Sequence, residues 1–320
     1  MIRNAPEGDI DATSDLNEFD NKLFVVAKES GPTSFDIVKA LRSAVRVKKA
    51  GHAGTLDPLA EGVLLVMTGR ATRAARYFME LNKIYRFDVE LGVGTETLDR
   101  EGAVVERVPC PAFSPGTIAA AAGRLTGTCE QKPPLYSAVK QNGTRLYKLA
   151  REGKAPEVKK RKVTIYRFDI LDIELPVVRC EIECSRGTYV RSVARDFGAL
   201  LSVPAHVAWL ARDAVGPFSR DTAVPSARIF EGSIGADDGI PLERALGFLP
   251  AVTLGEVPAR ALLNGIPPKT GDVTERAGSC EPGRPVRLLD ETGALLAVGD
   301  ASADGAATIV DSYTLFVNAA

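Results

Sequence analysis

The run Gly51-His52-Ala53-Gly54-Thr55-Leu56-Asp57-Pro58-Leu59-Ala60-Glu61-Gly62-Val63-Leu64 sets one carboxylate between a glycine-rich approach and a proline turn, directly ahead of an apolar strand. That setting suits an acid held at the rim of a cleft rather than in a core. An ionised Asp57 could act as a nucleophile or as a base, given a positive partner to keep it charged and oriented. By itself, Leu-Asp-Pro reads first as a turn, because Asp initiates turns and Pro fixes φ. Tyr85, on an alternating strand, is by the same reckoning a core aromatic before it is a site residue. His52 is one of two histidines, and the five cysteines are irregularly spaced, so neither a metal site nor a disulfide framework is expected. Cys180 and Cys184 share a strand face and read as core packing.

The elements that must position these groups follow from periodicity. Leu23 to Ala27 is a short apolar strand. Gly31-Pro32 turns the chain, and Thr33 or Ser34 caps a helix with Ile37, Val38, Leu41 and Val45 on its apolar face. Arg46-Val47-Lys48-Lys49 closes it, with cations where the helix dipole favours them. A strand over Val63 to Met67 and a basic helix through Arg70, Arg73 and Arg76 come next. Tyr85, Phe87, Val89 and Leu91 alternate along a second strand, and Val178 to Cys184 alternates along a third. The latter leads through Arg186-Gly187 into a helix containing Val190, Val193, Ala194, Phe197 and Leu201. Strands mixed irregularly with helices predict an α+β fold with a largely antiparallel sheet.

Four regions are expected: an acidic tail over 1–21, a main domain over 22–222, a linker or short helices over 223–250, and a small β-rich domain over 251–320. In the last, Ala259 to Leu263 is a helix, and Val286–Leu289 and Leu295–Val298 pair as a hairpin. Residues 130–162 read as a polar surface insertion ending in Lys159-Lys160-Arg161-Lys162. The net charge of -1 hides a strong asymmetry. Residues 1–21 carry one basic and six acidic side chains, residues 22–220 carry 32 and 21, and residues 221–320 carry 7 and 14. A basic body between acidic ends suits a polyanion partner. No apolar run spans a bilayer and no signal peptide is evident, so a cytoplasmic location is expected.

The fourteen residues from Gly51 to Leu64 closely resemble the signature of the TruB-type tRNA pseudouridine synthases. Ser185-Arg186-Gly187-Thr188-Tyr189-Val190-Arg191 resembles that family's second signature, Gly-Thr-Tyr-x-Arg at a strand-to-helix junction. Asn82-Lys83-Ile84-Tyr85-Arg86 resembles its Lys-x-Tyr segment. Gln131 to Lys140 and Leu146 to Gly153 resemble a region that clamps RNA. The resemblance spans roughly residues 23–220 and is to the bacterial branch. It implies the pseudouridine-synthase fold and, loosely, a C-terminal PUA-like RNA-binding barrel.

The resemblance implies that Asp57 is the catalytic carboxylate. Arg191 would be its ionic partner, which explains a cation on a first helical turn where the dipole disfavours it. Tyr85 would stack on a flipped uracil, with a hydroxyl available for proton movement. His52 would hold the distorted RNA loop, Tyr189 would contact the uridine, and Leu210 would pack on the base, although a core leucine there reads equally well. Lys132, Lys140, Lys148, Lys159, Lys160, Arg161 and Lys162 would meet phosphates.

The implied reaction converts uridine 55 in the tRNA T-loop to pseudouridine. It would use no cofactor and no metal, on a monomer whose partner is the T-stem-loop. One departure stands out: the family's Asp-Lys-Pro before the first glycine is here Ala27-Lys28-Glu29, so Lys28 is retained as a site support without its neighbours. Two rivals remain. One is a non-catalytic tRNA-binding or folding factor on the same scaffold. The other is a uridine methyltransferase using Cys110, whose Pro109-Cys110 is similar to that family's nucleophile dipeptide but lacks a nucleotide-binding glycine motif.

Overall fold

Apolar residues on both faces of its first strand decide how this chain must be layered. Leu23 and Val25 of β1 (Lys22–Lys28) face one way and Phe24 and Val26 the other, and all four are buried. A strand of this kind needs cover on both sides. The structure, a computed structural model, describes residues 17–137, 140–141, 144–145, 158–303 and 307–317.

The strands after β1 are β2 (Ala50–Ala53), β3 (Glu61–Thr68), β4 (Lys83–Leu91), β5 (Val93–Thr95), β6 (Val104–Arg107) and β7 (Gly127–Gln131). Two short strands, β8 (Lys140–Gln141) and β9 (Thr144–Arg145), pair with each other. Then come β10 (Arg161–Glu174), β11 (Val177–Cys184), β12 (Ala205–Val215), β13 (Phe218–Ser219), β14 (Val224–Pro225) and β15 (Ile240–Pro241). Helices α1 (Ser34–Ala44), α2 (Ala75–Glu80), α3 (Pro115–Leu125) and α4 (Val190–Leu200) lie between them.

The central sheet runs β14-β1-β3-β12-β4-β11-β10-β7, with β2 added on β3, β13 on β12 and β15 on β1. Only β1–β14 and β3–β12 are parallel pairs, so the sheet is mixed and largely antiparallel, as expected. One face packs on Ile37, Val38 and Leu41 of α1, Ile118 of α3, and Val190, Val193 and Phe197 of α4. Cys180 and Cys184 lie in this core, where burial pushes both thiols up. The other face meets Phe78 of α2 and residues of the C-terminal unit.

One irregularity matters most for function. The outer edge of β3 is shared by two strands. Glu61 and Gly62 pair with Ala211 and Arg212 of β12, while Leu65 to Thr68 pair with β2. Between them the ladder is broken, and the chain from β2 to β3 leaves this notch as the loop carrying Asp57.

Two expectations are revised. Arg161 and Lys162 are not part of a surface insertion; they open β10 and pair with Gln131 and Glu130 of β7. The segment expected as linker or short helices does form helices (Ser226–Phe230, Leu242–Ala245), yet it also supplies β14 and β15, which pair with β1. Strands β10 and β12 show no clean alternation because each carries two irregularities in register, and each irregularity shifts the inward phase by one.

Beyond residue 250 a five-stranded sheet runs β17 (Val273–Ala277), β16 (Ala251–Leu254), β18 (Pro285–Leu289), β19 (Leu295–Ala301) and β20 (Val310–Leu315). It contains the expected hairpin, and the expected helix covers Glu256–Leu263. The basic helix becomes a 3₁₀ turn, Gly69–Ala74, followed by α2. Its cations face the C-terminal unit: Arg70 Nη1 donates to the Phe316 carbonyl at 3.4 Å and Arg73 Nη1 to that of Leu315 at 3.1 Å.

Candidate active site

Asp57 is held by its backbone neighbours before any side chain acts on it. Gly54 takes a φ of +87°, a turn that β-carbon residues avoid. Ser34 Oγ, at the start of α1, accepts from the Leu56 N–H at 2.9 Å and donates to its carbonyl at 3.0 Å. The buried Lys28 Nζ donates to the carbonyls of Glu29, Pro58 and Ala60 at 2.9, 3.0 and 2.6 Å. Lys28 therefore supports the site by fastening the loop, without the acid and proline that usually flank it. Desolvation drops its pKa to about 8, against the pull of Asp57 and Glu61.

The Asp57 side chain is set into the protein, yet a third of its surface (34%) is exposed, and Oδ2 lies 2.8 Å from Arg191 Nε. That Nε–H has no aligned acceptor, so this is a charge contact and not a straight hydrogen bond. The rest of the guanidinium is fixed. Nη1 donates to the Thr97 carbonyl at 2.9 Å and to Asp99 Oδ2 at 3.2 Å, and Nη2 to the Tyr136 carbonyl at 3.0 Å. Desolvation raises the Asp57 carboxyl, Arg191 opposes it, and Asp99 adds to it.

Arg191 sits in the first turn of α4, where two carboxylates compensate for the unfavourable dipole. No side chain caps this helix; instead the Gln131 amide accepts from the Tyr189 N–H at 2.8 Å and donates to its carbonyl at 3.2 Å.

Tyr85 is buried on the α-helical face of β4, opposite Arg212 on β12 and Ile182 on β11. Desolvation raises its phenol, while Arg212, close enough to hydrogen-bond it, pulls the other way; the charge of Asp57 is also felt. Leu210 lies on the same face, opposite Phe87, and is a core residue. His52, on β2, is half-buried; desolvation and Arg212 keep its imidazole below the usual value.

The structure thus brings Asp57, Arg191, Lys28, Tyr85 and His52 to one place, with Tyr189 beside Arg191. Of the basic residues of the clamp, only Arg161 approaches them among the described side chains. Lys132, Lys159, Lys160 and Lys162 are exposed around β7 and the start of β10, and Arg161 lies over the Tyr189 ring at 5.9 Å. The Lys140 side chain and Lys148 lie outside the described residues.

Two residues escaped the sequence reading. Asp99 is 3% exposed and backs Arg191 from behind. It is turned inward by Leu98, whose φ of +62° is strained for a branched side chain. Arg212 is 1% exposed and has no ion pair among the described residues. Its Nε donates to the Val63 carbonyl at 2.7 Å and its Nη2 to the Gly54 carbonyl at 3.0 Å, so it fills the notch between β2 and β12. No local pattern marked it, because the register of β12 shifts beside it.

Cys110 is remote from this constellation. It lines a cleft of about 740 Å³ with Glu90, Arg107 and Pro176 at the far end of β4, and burial raises its thiol, which disfavours a nucleophile. Among the described residues no cluster of metal-ligating side chains occurs, and no helix is long and apolar enough to cross a membrane.

Residues 42–190 match the TruB family pseudouridylate synthase N-terminal domain. The tRNA pseudouridine synthase B of Geobacter sulfurreducens is 40% identical over 88% of this chain and 93% of its own length. That of Symbiobacterium thermophilum is 43% identical over 75% and 81%. Among solved structures, a Cbf5-Nop10-Gar1 complex contains a chain of the same fold, with a TM-score of 0.75 at 24% identity over 94% of this chain and 87% of that one.

Proposed function

We propose that this chain, which belongs to the TruB family and is a tRNA pseudouridine synthase, acts on the T-loop uridine at conventional position 55, with Asp57 as its catalytic carboxylate. The observation that carries the reading is the 2.8 Å contact of a partly exposed Asp57 with a guanidinium anchored on three further acceptors. A carboxylate so held stays oriented while keeping an open side for substrate.

The isomerisation is balanced within the substrate. The N1–C1′ bond breaks, the C5–C1′ bond forms, the C5 hydrogen leaves as a proton and N1 gains one. No electrons are exchanged with another reactant, so the chemistry calls for no redox cofactor. Asp57 serves by attack on C1′, by addition to the base or by removal of the C2′ proton. Tyr85 stacks on the uracil once it has left the RNA stack, an arrangement suited to a base that cannot be reached inside a helix. The clamp residues Lys132, Lys159 and Lys160 hold the T-stem phosphates of a single bound tRNA.

Tritium release from a transcript labelled at uracil C5, run without a methyl donor, tests this. The native chain releases tritium and Asp57→Asn does not. Tight tRNA binding without release by the native chain would instead identify a tRNA-binding or folding factor.

A further inference from the structure

Several arginines of the central unit are neutralised by acids, whereas Arg100, Arg107 and Arg124 make no ion pair among the described residues. Arg86 pairs with Asp213, Arg179 with Asp88, Arg186 with Glu80 and Arg228 with Asp238. The stretch from α1 to β2 differs. Lys39, Arg42, Arg46, Lys48 and Lys49 are all exposed, and none makes an ion pair or a side-chain hydrogen bond among the described residues. Asp36 caps α1 through Thr33, and of these five cations only Lys39 acts on its carboxyl.

Phe35, Lys39 and Arg42 follow one another at i, i+4 and i+7 and so form one stripe along α1. At its head Phe35 is 67% exposed, an aromatic left uncovered beside Ser34, which binds both backbone groups of Leu56. By helical rise, Lys39 and Arg42 lie about 8 and about 12 Å along the axis from Ser34. Lys48 and Lys49 lead straight into β2, which carries His52. The excursion therefore leaves the Asp57 loop at one end and rejoins the site at the other, with unneutralised charge between.

We propose that the outer face of α1, with Arg46, Lys48 and Lys49, is a second RNA-binding surface: its cations track the phosphates of the strand entering the site, and Phe35 stacks on an unpaired base of the loop. This surface is separate from the basic residues around β7 and β10. It rests on the proposed activity toward RNA. A line of cations with an aromatic at its head matches the way single strands are held, by phosphate contact and sequence-tolerant stacking.

The test uses the full chain and a T-stem-loop transcript. In a Lys39→Gln/Arg42→Gln/Lys48→Gln variant, Kd and KM rise roughly ten- to fifty-fold at physiological salt, kcat is unchanged, and the slope of log Kd against log salt becomes shallower by about two. Phe35→Ala weakens binding by roughly five-fold or more with the slope unaltered, and Phe35→Trp restores it. A control Arg179→Gln variant binds as the native chain does. Unchanged affinity and slope in the triple variant would overturn the phosphate track, and unchanged affinity in Phe35→Ala would overturn the stack. Absence of tritium release by the native chain is a separate failure, that of the proposed activity.

Discussion

Replacing Arg191 by lysine keeps the charge and removes the fork, which makes it the sharpest probe of the site. The guanidinium reaches Asp57, Asp99 and the carbonyls of Thr97 and Tyr136 from three nitrogens. A single ammonium placed near Asp57 cannot also reach the Thr97 and Tyr136 carbonyls, which lie on different sides of the fork. Hydrogen bonds to charged groups contribute about 1.5–3 kcal/mol each. Two lost at the lower figure remove about 3 kcal/mol of positioning, or roughly a hundred-fold in rate. Arg191 is buried and offers no surface to the RNA backbone, so binding should be spared. Single-turnover tritium release should therefore fall about a hundred-fold, with transcript affinity within about three-fold of native. A folded Arg191→Lys protein within about three-fold of the native rate would refute the reasoning, because the planar anchoring would then be immaterial.

Further outcomes follow from individual contacts. Burial raises the Asp57 carboxyl, so the folded state favours its protonated form; stability on this account falls as pH rises past the ordinary carboxylate value of about 4. Asp57→Asn should consequently unfold no earlier than the native chain at pH 7, while the native rate falls on the acid side at a pH above that ordinary value. A lower melting point for Asp57→Asn at pH 7, or no acid limb, would contradict this. Tyr85→Phe should bind the transcript normally but lose about a hundred-fold or more in rate, as expected for a lost proton-transfer group; full activity would leave the ring with stacking alone. Arg212→Gln should strand a carbonyl at the notch and cost about 1–3 kcal/mol in urea unfolding. Gly62→Ala should fail to fold, because its Cβ would lie 2.1 Å from the Arg212 carbonyl oxygen at a φ of +100°.

What could be read from the chain divides along a physical line. Local patterns were legible: the β4 alternation put Tyr85 on the helix-covered face, and the capping residue Thr33 marked the start of α1. The meeting of Asp57 with Arg191 was reachable only through motif resemblance, since no periodicity links positions 134 residues apart in sequence. Asp99 and Arg212 act through tertiary contacts and leave almost no local trace. Strands β10 and β12 were hidden by their irregular registers. Charge counting gave no hint that Arg70 and Arg73 turn to carbonyls of the acidic C-terminal unit.

The divided edge of β3 has a mechanical meaning. From β1 through β3, and from β12 through β4 to β11, neighbouring strands share long ladders, but across the line between β3 and β12 the two halves are joined by the pairs Ala211–Glu61 and Arg212–Gly62, by the Arg212 guanidinium and by the Asp57–Arg191 contact. Compliance is thus concentrated where Asp57 stands on one half and Tyr85 on the other. Widening the gap between them strains few hydrogen bonds and leaves both helix-covered flanks intact. Slow amide exchange over β4 and β11, with faster exchange at Val63, whose backbone faces the broken edge, would be the signature of a sheet built to yield along the seam beside Asp57.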